Sequence, residues 1–109
     1  MFGLTPSDID LIIKTLRAHP DVEEAIVFGS RAMGNFKPGS DVDIALKGNL
    51  GPETCTDIAV ELNERLPLPY KFDVLAYPAL SDKPLIEHID HYGKVLYKKG
   101  RKSKGTSSD

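Results

Sequence analysis

Apolar residues recur along this chain with two periods, and the switches between them mark out its elements. Ile9, Ile12, Ile13 and Leu16 return at helical spacing and make one apolar face. Thr5-Pro6-Ser7-Asp8 opens that helix, with Thr5 as N-cap, Pro6 at the first helical position and Asp8 near the positive end of the dipole. His19-Pro20 ends it. Glu24 to Phe28 reads as a strand running into Gly29-Ser30, and Ser30 to Gly34 as a short helical turn before a loop over 35–39. Asp41 to Leu46 then alternates, with Val42, Ile44 and Leu46 on one face and Asp41, Asp43 and Ala45 on the other.

After a loop over 48–52, Pro52 opens a second helix reaching about Arg65, with Ile58, Ala59, Leu62 and Leu66 inward. Pro67-Leu68-Pro69 breaks the chain before a third strand, Lys71 to Ala76. Ser81 to Pro84 starts a third helix, Gly93 stops it, and Lys94 to Lys98 forms a final strand. Three helices and four strands in alternating order predict a small α/β (α+β) domain over 1–99, a mixed sheet flanked by helices. Residues 100–109 hold no apolar side chain and predict a disordered basic tail, solvated rather than bound to an acidic partner.

Composition narrows the classes. With 109 residues, 40% hydrophobic and 28% charged, the chain fits one ordinary globular domain with a modest core. A net charge of −2 argues against strong nucleic-acid binding by bulk charge. The single cysteine, Cys55, excludes an internal disulfide and reads as a small buried helix residue. No apolar run approaches the about 20 residues of a membrane span, and the N-terminus lacks a signal-peptide pattern, so the expected location is cytoplasmic.

The chemistry gathers in residues 29–43. Gly29 lets the backbone approach an anion, and Ser30 offers a hydroxyl and an amide at a helix start. Asp41 and Asp43 lie two apart on a strand, so their carboxylates project to the same face. Two carboxylates that close repel each other unless a cation lies between them, and Mg²⁺ takes hard oxygen ligands together with substrate phosphates. Asp73, in the apolar run Phe72-Asp73-Val74-Leu75, could ligate the same metal and accept a proton from an attacking hydroxyl if its strand lies beside that of Asp43. Arg31 could pair with a phosphate or the acidic cluster, or lie at the surface, and Ser40 could cap the start of the strand or touch phosphate. His88 and His91 are three apart but lack a third ligand of suitable spacing, so they read as a surface pair. Tyr92 and Tyr97 read as packing residues.

Gly29-Ser30-Arg31-Ala32-x-Gly34, five residues, then Ser40-Asp41-x-Asp43 closely resembles the signature of the minimal nucleotidyltransferases of the DNA polymerase β superfamily. The resemblance covers roughly residues 5 to 98 and implies a polymerase-β-like nucleotidyltransferase fold. It implies transfer of a nucleoside monophosphate, usually AMP from ATP, to a hydroxyl with release of pyrophosphate. By position, Gly29 and Ser30 would hold the triphosphate, Asp41 and Asp43 would bind two Mg²⁺ ions, and Asp73 would bind the catalytic one and help deprotonate the acceptor. Arg31 and Ser40 join the nucleotide-binding set as candidates.

Larger relatives carry added domains that hold the acceptor. At this length the expected acceptor surface is the domain itself, a dimer of it or a separate partner. Stand-alone members of the family are often antitoxins paired with a HEPN-domain ribonuclease toxin, which they adenylylate on a tyrosine. Three readings follow: an adenylyltransferase acting on such a toxin, an antitoxin that binds nucleotide but works by complex formation, and a homodimeric small-molecule nucleotidyltransferase. The intact set of three acids favours the first, because a pure binder needs no converging carboxylates.

Overall fold

The structure, a computed structural model, describes residues 2–37 and 39–99. Its elements run α1 (Pro6–Arg17), β1 (Val22–Phe28), α2 (Ser30–Met33), β2 (Val42–Gly48), α3 (Pro52–Val60), β3 (Phe72–Ala76), α4 (Lys83–Tyr92) and β4 (Lys94–Lys98). A π-helical stretch, Glu61–Arg65, continues α3, and a 3-10 turn, Tyr77–Ala79, follows β3. The tail expected over 100–109 lies outside the described residues.

Local chemistry accounts for most boundaries. The Thr5 hydroxyl accepts from the Asp8 N–H while the Asp8 carboxylate accepts from the Thr5 N–H, a reciprocal cap, and Pro6 fills the first helical position. Asp82 caps α4 by accepting from Leu85 N–H, one residue inside the predicted start. β1 begins two residues before the predicted Glu24, because Val22 pairs with Gly48 and is fully buried.

The four strands form one sheet in the order β3-β2-β1-β4. β1 runs antiparallel to both β2 and β4, while β2 and β3 are parallel, which makes the sheet mixed as its sequence predicts. α3 supplies the crossover that parallel pairing requires.

Both faces of the sheet are covered. Val42, Ile44 and Leu46 point to one side, where Ile12 and Leu16 of α1 and Ile58 and Leu62 close the main core. Ala45 points to the other side and packs with Ile26, Phe28 and Ile89 of α4. The face expected to carry only acids and a small residue is therefore half core, and its acids lie beyond the end of that core. Gly93 permits α4 to sit this close, since a β-carbon there would run into the Ile89 carbonyl and the Ile26 side chain.

Candidate active site

The two halves of the predicted site meet at one end of the sheet. Phe28, the last residue of β1, pairs with Asp43, and Asp43 pairs with Asp73 across the parallel β2–β3 ladder. Gly29 follows β1 directly and lies against the Asp43 carboxylate. Asp41 lies just before β2, and Val42 N–H donates to the Lys71 carbonyl at 2.8 Å, tying the approach to β2 to that of β3. Asp41 and Asp73 are exposed, whereas Asp43 is half-buried.

Gly29 has φ 76° and ψ −155°, a backbone conformation reserved for glycine. A β-carbon at this position would land on the Asp43 carboxylate. The turn then enters α2, a single helical turn in which Met33 N–H donates to the Gly29 carbonyl at 3.2 Å. At such a helix start the amides of Ser30, Arg31 and Ala32 have no intrahelical acceptor and are the donors suited to an anion.

Burial pushes the Asp43 carboxyl above its ordinary range, and the charges of Asp73 and then Asp41 push it further. Neighbouring hard-oxygen donors of like charge are the setting a divalent cation relieves. The donor set therefore fits Mg²⁺ in kind. Among the described residues, no group of three or more His, Cys, Asp or Glu side chains is already gathered to hold a metal ion.

Arg31 is buried rather than at the surface, and its donors meet backbone carbonyls. Its side chain is 4% exposed, with Nε and Nη2 donating to the Ser40 carbonyl at 3.2 and 2.8 Å and Nη1 donating to the Phe2 carbonyl at 2.9 Å. The guanidinium also packs on the rings of Phe36 and Tyr70, 5.0 and 5.2 Å from their centroids. Its planar fork thus ties the loop before β2 to the N-terminal segment. Ser40 closes that loop, its Oγ accepting from Lys37 N–H at 2.9 Å. Tyr70 is held in turn by its hydroxyl, which donates to Asp8 at 2.7 Å.

Two residues bonded to the backbone of the candidate site were illegible in the sequence. Asn63 accepts from Phe72 N–H at 2.7 Å and donates to the Phe72 carbonyl at 3.0 Å, clamping β3 one residue before Asp73. His88, expected in a surface pair with His91, instead accepts the Gly29 N–H through Nε2 at 3.0 Å. His91 is exposed and meets the Tyr92 ring. The contact of His88 spans 59 positions, so no local pattern announces it. Cys55 sits half-buried on α3, and burial pushes its thiol pKa up, in line with an unreactive packing residue.

A family model described as Polymerase beta, Nucleotidyltransferase, matches residues 10–102 of the 109. The chain belongs to this nucleotidyltransferase family. No curated protein matches it. Among solved structures, a toxin–antitoxin with AMP-PNP is similar at 26% identity and a TM-score of 0.70, covering 85% of this chain and 75% of that one. The MntA–HepT toxin–antitoxin is similar at 24% identity and a TM-score of 0.65, covering 86% and 73%. The MNT antitoxin complex with a tri-AMPylated HEPN toxin of Shewanella oneidensis is similar at 24% identity and a TM-score of 0.64, covering 84% and 71%. These neighbours match the polymerase-β-like mixed sheet of this nucleotidyltransferase domain. Among the described residues, no helix is long and apolar enough to cross a membrane.

Proposed function

We propose that this chain is an antitoxin that transfers AMP from ATP to a hydroxyl, a tyrosine in the favoured case, of a HEPN-type toxin. The observation that carries the reading is the register that sets Asp43 between Asp73 and the Gly29-Ser30 turn. It brings an anion-accepting turn and hard carboxylates to one sheet end, the pairing that phosphoryl chemistry needs. The 26% identical relative, a toxin–antitoxin bearing AMP-PNP, supports the nucleotide and the setting. The tri-AMPylated toxin beside a fold relative names the acceptor class to test first.

In this reading Ser30 and the following amides hold the triphosphate, with Gly29 allowing its close approach. Asp41, Asp43 and Asp73 would hold two Mg²⁺ ions, which when bound offset the charge that develops on the phosphate oxygens. Asp73, exposed like Asp41 and paired with Asp43 across the ladder, accepts the proton of the attacking hydroxyl. The hydroxyl oxygen bonds to the α-phosphorus, the bond from that phosphorus to the bridging oxygen breaks, and pyrophosphate leaves. Arg31 and Ser40 act by fixing the loop that carries Asp41.

The test incubates the chain with Mg²⁺, ATP labelled on the α-phosphate and its HEPN-type partner. Label should appear on the partner and vanish with Asp41→Asn or Asp43→Asn. A tight complex with no label from any of the four nucleoside triphosphates would replace the enzyme reading with neutralisation by binding. Untouched transfer in Asp73→Asn would remove that residue from the mechanism.

A further inference from the structure

The Gly29 amide lies beyond the reach of the sheet. Pairing of β1 with β2 ends at Phe28–Asp43, and pairing with β4 ends at Val27–Lys94, so neither neighbour supplies an acceptor for the next N–H. The acceptor comes from α4, where His88 Nε2 takes the Gly29 N–H at 3.0 Å.

The ring that accepts is itself held. It meets the Phe28 ring edge-on, with centroids 6.1 Å apart and planes at 77°, and lies 5.4 Å from the Tyr92 ring. α4 is seated by Ile89, which is 2% exposed among Ile26, Phe28 and Ala45. His88 thus stands on a packed helix, between two rings, aimed at the one peptide that leads into Ser30. Because Nε2 accepts, the neutral imidazole carries its proton on Nδ1.

We propose that His88 is a positioning residue for the nucleotide turn, holding the Gly29 peptide so that Ser30 and the next amides face the phosphates while Gly29 stays clear of Asp43. This rests on the nucleotidyltransferase reading above. It also divides the labour within the turn. Gly29 N–H is spent on His88, and the amides left for phosphate begin at Ser30.

Two substitutions separate the acceptor from the ring. His88→Gln keeps an oxygen at comparable reach but loses the ring, and His88→Phe keeps the ring but loses the acceptor. In the nucleotide-free protein, exchange of the Gly29 amide followed by NMR should be about tenfold faster in His88→Phe and close to the parent in His88→Gln. Titration with Mg-ATP should show about three- to tenfold weaker binding in His88→Phe, recovered in His88→Gln. Unchanged Gly29 exchange in His88→Phe overturns the proposal, and so does a His88→Gln variant that behaves like His88→Phe. Faster exchange with unaltered Mg-ATP affinity also overturns it, since the turn would then not depend on the bond. If the parent chain binds no nucleotide, the functional reading fails, while the exchange rates still decide whether His88 holds the turn.

Discussion

Gly29 and Asp43 occupy positions that exclude a side chain on the first: a β-carbon at Gly29 would meet the Asp43 carboxylate. The turn proposed to hold the nucleotide and the acid proposed to bind metal are thus in direct packing contact. Gly29→Ala adds this clash to the strain of a positive φ and should destabilise the fold by about 1–3 kcal/mol. It should also remove label transfer at temperatures where the variant remains folded. Denaturant unfolding alongside the transfer assay checks both, and full activity in Gly29→Ala would refute the packing argument.

Asp43 opposes the fold when charged. Its folded-state pKa is raised, first by burial and then by Asp73 and Asp41. The folded chain therefore binds this proton more tightly than the unfolded chain does. The stability it contributes is fully present below the ordinary carboxylate range and is lost as pH rises through the raised value. At neutral pH, Asp43→Asn should melt a few degrees higher than the parent, consistent with roughly 0.5–1 kcal/mol of repulsion after solvent screening. The difference should close as pH falls below the unfolded-state value. Added Mg²⁺ should raise the melting temperature of the parent and leave the variant nearly unmoved. Thermal scans across pH, with and without Mg²⁺, test the sign directly; a variant that melts lower at pH 7 contradicts it.

Arg31 should resist its usual replacement. A lysine ammonium cannot span the Ser40 and Phe2 carbonyls together or lie flat on two rings. Arg31→Lys should cost about 2–3 kcal/mol of stability, since it leaves buried carbonyls without their charged donor. Chemical denaturation measures this, and a loss below about 0.5 kcal/mol would place the fork among dispensable contacts.

Asn63 should act on chemistry from a distance. Its amide pairs with both backbone groups of Phe72 and so sets the start of β3. Asn63→Ala should slow label transfer about tenfold or more, because a small displacement of Asp73 weakens proton transfer. Mg-ATP affinity should change less than the rate does. Equal loss in binding and rate would instead point to general loosening of the sheet.

Much of this site was legible along the chain. Alternation over Asp41 to Leu46 marked the strand that carries Asp43, although β2 begins at Val42 and leaves Asp41 just before it, and the small residues at 29 and 30 marked a turn at the end of the preceding strand. Capping chemistry marked α1 at Thr5 and Pro6 because its partners lie within one helical turn. The beginning of β1 was less legible, since Val22 belongs to the strand only through its pairing with Gly48. Ala45 looked like the small member of a polar face and turned out to be core, because α4 covers that side.

Interactions between neighbours in sequence are written in the sequence: helix starts, strand alternation, the spacing of Asp41 and Asp43, and the family to which these motifs belong. Three relations were decided only by tertiary structure. The parallel register set Asp73 beside Asp43, packing turned Arg31 inward onto the Ser40 carbonyl, and α4 docked so that His88 reached Gly29. The physical reason is common to all three. Each depends on where a whole element settles against the core, and that position is fixed by many weak apolar contacts across the chain rather than by the residues that meet.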